Sequence, residues 1–214
     1  MIRIRALRPF PVAVLVLGGL ALLASCGGAG AGTGGNGVAG TDSSFFETFD
    51  TSCPAGWTLS TPWECGAPTS GPSAAFSGSN VIATNLAGDY ANNLAWSSST
   101  ATSPTISLAG MLTPSLRFKV WYNTEGGSFD GWNVKISTDN GSTFALVTTV
   151  TPSYGLTIAA QQSWGGDQSA GGWQTYTADL SAYAGQDIVL QFGFRTDGSV
   201  TGPGVYIDDV GISD

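Results

Sequence analysis

Between Leu116 and Tyr122 every second side chain is apolar: Leu116, Phe118, Val120 and Tyr122 alternate with Arg117, Lys119 and Trp121. A period of two sends one set to a buried face and the other outward, which describes a half-buried β-strand and not a helix of 3.6 residues per turn. Ile188, Leu190, Phe192 and Phe194 repeat the pattern, as do Trp132, Val134 and Ile136. Further strands are expected over 45–49, 81–86, 105–108, 144–150, 173–179 and 205–212. Clusters of Gly, Pro, Asn and Asp separate them, and no run of ten residues carries a helical stripe. Nine or more short strands without helices bury their apolar faces only against one another. The expected fold class is therefore all-β: a single two-sheet antiparallel sandwich of the jelly-roll kind.

The first residues read as an address. Arg3, Arg5 and Arg8 precede an apolar run from Val12 to Leu23, which has the length of a signal-peptide core and is short for a bilayer span. Leu23-Ala24-Ser25-Cys26 looks like a bacterial lipobox, in which the cysteine is lipidated and becomes the first mature residue. An ordinary cleavage near Ser25 and a retained anchor are the alternatives. Gly27 is not the aspartate that goes with retention at the inner membrane in such lipoproteins. The resemblance thus implies a lipid anchor at the bacterial cell envelope, on the outer membrane or cell surface. From Gly27 to Gly40 the chain holds no large side chain except Val38 and cannot bury a core, so it is expected to be a flexible tether about 20 Å in reach. The expected organisation is a lipoprotein signal peptide (1–25), the lipidated Cys26 with a Gly-rich linker (26–42), and one sandwich (43–214).

Composition narrows the chemistry. The 214 residues include no histidine, which rules out a His-based triad, a His zinc site and a His general base from these residues. Three of the seven basic residues precede Cys26, leaving Arg117, Lys119, Lys135 and Arg195 against fifteen acids, a formal charge of −11 for the mature chain. Nucleic acid is not an expected partner of such a surface, and the membrane is expected to be met through the N-terminal lipid only. A divalent cation is a natural one. With Cys26 assigned to lipid, Cys53 and Cys65 are left as the one possible pair, twelve positions apart. In an oxidising compartment they are expected to form a disulfide; two free thiols are the alternative.

Several signatures then occur in order: Phe46-Glu47-Thr48-Phe49-Asp50, Cys53-Pro54-Ala55-Gly56-Trp57, Ser103-Pro104-Thr105-Ile106-Ser107-Leu108, Trp121-Tyr122-Asn123-Thr124-Glu125, Asp130-Gly131-Trp132-Asn133-Val134, Asp179-Leu180-Ser181-Ala182-Tyr183-Ala184-Gly185 and Tyr206-Ile207-Asp208-Asp209-Val210. Together they resemble MAM-like jelly-roll domains of bacterial surface and secreted proteins, including cleaved-adhesin (choice-of-anchor J) modules and the C-terminal domains of immune-inhibitor-A-type metalloproteases. The resemblance implies an accessory sandwich for adhesion or binding, often calcium-stabilised. It does not extend to peptidase activity, because the chain has no HExxH helix.

The carboxylates supply a candidate metal site. In 205–212 the apolar parity changes between Ile207 and Val210, which a β-bulge would accommodate. Such a bulge brings Asp208 or Asp209 beside the core, where a charge needs a cation or hydrogen-bond donors. Glu47, between Phe46 and Phe49, poses the same problem, and MAM-like folds hold their first and last strands close together. A calcium ion on Glu47, Asp50, Asp208 and Asp209 would satisfy both; carboxylates that accept backbone N–H bonds without metal are the alternative.

Ligand contacts are expected from aromatic rings flanked by amides and carboxylates, the usual means of holding a sugar face. Trp121, on the polar parity of its strand, and the loop residues Gln162, Trp164 and Asp167 are the candidates, whereas Trp57, Trp63, Trp132 and Trp173 are assigned to the core or to family structure. Packing under loops is the alternative for Trp121 and Trp164. The segment from Ser137 to Phe144 matches an Asp-box; a single copy makes it a hairpin turn and not a propeller blade. The expected function is a non-enzymatic surface binding or adhesion module for extracellular carbohydrate or protein. A structural envelope lipoprotein without a small ligand and a jelly-roll glycoside hydrolase are the alternatives, with Glu125 and Asp130 as the carboxylate pair the last would need.

Overall fold

A computed structural model describes residues 45–214. The expected signal peptide, Cys26 and the 26–42 linker lie outside the described residues. The chain runs through β1 (Phe45–Glu47), β2 (Thr58–Leu59), β3 (Glu64–Gly66), β4 (Val81–Ala83), β5 (Thr100–Thr102), β6 (Ile106–Ser107), β7 (Ser115–Asn123) and β8 (Gly131–Ser137). It continues through β9 (Ala145–Leu146), β10 (Val150–Thr151), β11 (Leu156–Ile158), β12 (Gln161–Ser163), β13 (Gln174–Asp179), β14 (Asp187–Arg195) and β15 (Gly204–Ser213). Two antiparallel sheets form the sandwich. One has the order β10-β13-β7-β15-β4-β3, with β1 also on β15; the other is β2-β5-β14-β8-β9, with β6 also on β14. A separate hairpin pairs β11 with β12.

The alternation read from the sequence builds the core. Leu116, Phe118, Val120 and Tyr122 of β7 face inward with Tyr176 and Ala178 of β13 and Val205 and Ile207 of β15. Opposite them stand Trp132, Val134 and Ile136 of β8 and Ile188, Leu190, Phe192 and Phe194 of β14. Trp132 has no exposed surface. Its ring lies 5.7 Å from Tyr176, 5.5 Å from Tyr122 and 6.2 Å from Phe118, so it joins the two layers. Each large side chain buried in this way contributes roughly 1.5–3 kcal/mol.

The last strand carries the irregularity its parity demanded. The register of β15 on β7 shifts between Asp208 and Gly211, and Asp209 takes a left-handed φ of 48°. Val205 and Ile207 before the bulge and Val210 and Ile212 after it thereby all reach the core. After the bulge β1 replaces β4 as the second neighbour of β15, so the first and last strands are adjacent. Cys53 and Cys65 are joined in a disulfide. It ties the segment entering β2, in one sheet, to β3 in the other.

Two expectations change. Residues 144–150 are not one strand: β9 pairs with β8 in the second sheet and β10 with β13 in the first, so the chain crosses between layers there. The short strands β2, β3, β5, β11 and β12 have only two or three residues each, too few to show a period. The Asp-box is the turn between β8 and β9. Asp139 accepts bonds from Ser137 Oγ at 2.6 Å, Thr143 N at 2.9 Å and Thr143 Oγ1 at 2.7 Å.

Candidate functional site

The inward parity of β7 leaves Arg117, Lys119, Trp121 and Asn123 on the outer face of the first sheet, beside Thr175 of β13 and Tyr206 and Asp208 of β15. Residues of the 71–80 loop fold over part of this face. Trp121 and Tyr206 pack edge to face at 5.4 Å with Val81 and Ala83, and Ala75 and Trp173 close over them. Between this loop and the 169–173 turn a cleft of 630 Å³ remains open, lined by Trp121, Asn123, Ser73, Ser169, Trp173 and Pro203 among others. Trp173 borders it while its Nε1 donates to the Ala74 carbonyl at 3.1 Å, which fixes the indole.

The four expected ligand contacts do not assemble. Trp121 does stand on the outer face, but it is only 7 % exposed and gives the cleft an edge and not a stacking platform. Trp164 is 4 % exposed and belongs to the core, 4.5 Å from Trp132 and 4.2 Å from Tyr154, with Nε1 donating to the Pro152 carbonyl. The reason is a bridge pairing Trp164 with Trp132, which draws a loop-like segment inward. Gln162 is exposed on β12 beside the second sheet, where its carbonyl accepts from Asn133. Asp167 is exposed and accepts from Ser169 N at 2.8 Å, shaping the turn that brings Ser169 to the cleft. Trp173, assigned from sequence to the core or to family structure, is the aromatic that borders the cleft. Its parity with Thr175 and Thr177, opposite to that of the buried Tyr176, is the signal that could have found it.

The expected metal ligands are likewise occupied by protein donors. Asp208 is fully buried. Its Oδ2 accepts from Phe76 N and Ser77 N, both at 3.0 Å, and its Oδ1 from Asp209 N at 2.7 Å. Burial pushes this carboxyl up to about 6, against the three backbone donors and with the Asp209 charge adding to the rise. Asp209 accepts from Ser77 Oγ, Asp50 from Ser79 N and Asn80 N, and Glu47 from Phe49 N. Glu47, Asp50, Asp208 and Asp209 thus cap the loops against the first and last strands, the alternative that the sequence left open, and they do not converge as a ligand group.

A different carboxylate group does converge. Among the described residues, Glu125, Asp130 and Asp197 each bring an oxygen within 4.8 Å of the others. Asp130 is fully buried; it accepts from Tyr90 Oη at 2.7 Å and Asp197 N at 2.8 Å. Glu125 Oε2 is buried without a hydrogen-bond partner. Burial, and then the charges of Asp197 and Asp130, hold the Glu125 carboxyl above its usual range. Burial also raises Asp130, although its two donors oppose the rise. Oxygen-only donors with an unpartnered buried carboxylate oxygen suit a hard cation such as calcium. The same geometry does not suit a glycosidase. Asp130 has both oxygens engaged and no exposed surface, so no glycosidic bond could be placed between it and Glu125.

Residues 90–213 match the family model for the immune inhibitor A-like MAM domain. The chain is 34 % identical over 171 residues to Bacillopeptidase F of Bacillus subtilis (strain 168), covering 78 % of this chain and 10 % of that protein. It is 35 % identical over 96 residues to the pre-pro-metalloprotease PrtV of Vibrio cholerae serotype O1 (strain ATCC 39315 / El Tor Inaba N16961), covering 44 % of this chain and 10 % of that protein. The chain therefore spans about a tenth of the length of these relatives. Among solved structures, the K2 cleaved adhesin domain of Lys-gingipain aligns over 80 % of this chain and 99 % of its own, at 20 % identity and a TM-score of 0.47. The chain belongs to the immune inhibitor A-like MAM domain family.

Proposed function

We propose that residues 43–214 form a non-enzymatic binding module that engages extracellular carbohydrate or protein through the cleft between the 71–75 loop and the 169–173 turn. The observation that carries this reading is the cleft itself: 630 Å³, with two indoles and the polar side chains of Asn123, Ser73 and Ser169 on one open surface. An apolar wall with a few placed polar groups is the usual composition of a ligand site. The two protease relatives lend no peptidase activity, since these residues contain no histidine and the chain corresponds to a tenth of either protein. Lipidation of Cys26 would display the module at the cell envelope. Calcium is proposed as a structural partner, held by Glu125, Asp130 and Asp197 and not by the carboxylates of the first and last strands.

Glycan arrays and pull-downs of surface proteins with the wild-type chain, W173A and N123A test the cleft. Binding that is lost in both variants supports it. Binding that both variants retain places the ligand elsewhere, and the absence of any ligand favours a structural envelope role. For calcium, the expected result is a melting temperature that rises with calcium in the wild type and not in E125Q. A melting temperature indifferent to EDTA, with no calcium recovered by elemental analysis, would overturn that assignment.

A further inference from the structure

The seven tryptophans dispose of their indole N–H groups in different ways. Trp96 donates to the Ile158 carbonyl at 3.3 Å, Trp164 to the Pro152 carbonyl at 3.1 Å and Trp173 to the Ala74 carbonyl at 3.1 Å. Trp57, Trp63 and Trp132 bury theirs in the core without a partner. Trp121 does neither: among the described residues no acceptor meets its Nε1, and that atom is not sealed from solvent. The residue is only 7 % exposed and packs on Val81, Ala83 and Tyr206, so little of it is open. Its open part borders the 630 Å³ cleft, and the N–H is presented there.

Two further groups on the cleft wall are uncommitted. Among the described residues, neither the Asn123 amide nor the Ser73 hydroxyl makes a side-chain hydrogen bond to protein. The wall between them is rigid: Trp173 is held by its bond to Ala74 and packs edge to face on Phe76 at 6.4 Å. None of the residues that line the cleft is charged. The mature chain around it carries a formal charge of −11, which repels anions. The floor is a sheet face and not an edge, since Trp121 and Asn123 belong to β7, which has β13 and β15 as neighbours. An extended peptide therefore finds no free strand there to pair with.

We propose that the cleft selects an uncharged saccharide, with the Trp121 Nε1–H donating to one of its oxygens. The proposal names the ligand class and the donor at the cleft already described, and so rests on that reading. An indole N–H only donates, so the group that meets it must be an acceptor, whereas the Asn123 amide and the Ser73 hydroxyl do both. Sugar hydroxyls also do both, and the apolar face of a sugar ring suits the fixed Trp173 indole. An acidic sugar finds no cation in the cleft and meets the negative field of the chain. A peptide laid on a paired sheet face would leave its own backbone groups unmatched.

Two measurements on the full-length chain test this. The first needs no ligand: indole N–H signals of the nitrogen-15-labelled protein are followed in heavy water, with Trp121 identified by its absence in W121F. The Trp121 proton should be the first of the seven to exchange, and a later rank overturns the donor. The second is affinity electrophoresis in gels containing hydroxyethylcellulose, galactomannan or polygalacturonate. The expected result is retardation by a neutral polymer and not by polygalacturonate, weakened about tenfold in W121F and in N123A, in line with the loss of one hydrogen bond, and unchanged in Q191A on the other sheet. W121F shrinks a buried ring; N123A alters a half-buried side chain and carries the test if W121F does not fold. Wild-type retardation of a folded W121F or of N123A, or any retardation by polygalacturonate, overturns the proposal and leaves the binding module standing. If no polymer retards the wild type but a surface protein is captured through Trp173 in the pull-down, the saccharide is overturned and the cleft is kept. If neither polymer nor protein binds, the cleft reading falls with it.

Discussion

Asp208 makes acid a stabilising condition for this fold in a defined window. Its carboxyl is fully buried and pushed up to about 6 by that burial, against 3.8 for an ordinary aspartate. A raised folded-state value means that the protonated form is favoured by folding. The stability it contributes is complete below pH 3.8 and is lost as pH rises through about 6. Each tenfold difference in proton affinity between the folded and unfolded chain is worth about 1.4 kcal/mol, so the full difference is roughly 3 kcal/mol, and about 2 kcal/mol of it is recovered between pH 7.5 and pH 4.5. Asp139, Asp167 and Asp179 are shifted the other way by hydrogen bonds from Ser and Thr neighbours, and their contributions fade only below the ordinary aspartate value. Asp130 and Glu125 share the sign of Asp208, so a variant comparison is needed to isolate it. D208N keeps one oxygen for Phe76 N and Ser77 N but turns an amide toward the Asp209 N–H, which costs roughly 1–3 kcal/mol at every pH. Urea denaturation followed by tryptophan fluorescence at pH 7.5 and 4.5 should then show the wild type gaining about 2 kcal/mol more on acidification than D208N does. Parallel gains in the two proteins would refute the argument and show that the three backbone donors fully offset burial.

Other perturbations test other parts of the fold. Replacing Cys53 and Cys65 by serine releases a loop of twelve positions, and the chain-entropy relation gives a loss of about 3 kcal/mol, measurable as a lower urea midpoint, with a slope no smaller than that of the wild type because the unfolded chain is freer to expand. Trp132→Ala removes the ring that Phe118, Tyr122, Tyr176 and Trp164 share and should cost about 3–5 kcal/mol; a loss below about 1 kcal/mol would show that the core is not organised around it. The Asp139 carboxyl is held at about 2 by Ser137 and Thr143, so D139A should speed amide exchange at Thr143 at pH 7, and the wild-type amide should lose its protection only as pH falls from the ordinary aspartate range toward 2. Metabolic labelling with a radioactive fatty acid should mark the wild type and not C26A.

What could be read in advance follows from how far each signal reaches along the chain. Alternation is local, and it placed β7, β8 and β14 and even the bulge, because the parity change between Ile207 and Val210 lies within a few residues. That Asp208 or Asp209 would lie beside the core was equally legible, and Asp208 is the one that is buried. Which group would meet it was not: Phe76 and Ser77 lie more than 130 positions away, in a segment without periodicity. Trp164 failed for the same reason. Gln161-Gln162-Ser163-Trp164-Gly165-Gly166 has the composition of an exposed loop, and it enters the core only because the three-residue strands β11 and β12 pair and Trp164 bridges to Trp132. Functional surfaces on a sandwich magnify this limit. Parity tells which face Thr58, Thr102, Gln191 and Lys135 share, but their neighbourhood is set by three registers that run perpendicular to the chain. A ligand laid across strands is recognised by residues that no linear motif contains. On this fold the surroundings of a buried group are set only once distant segments are side by side, as Asp208 beneath Phe76 N and Ser77 N and Trp164 against Trp132 both show.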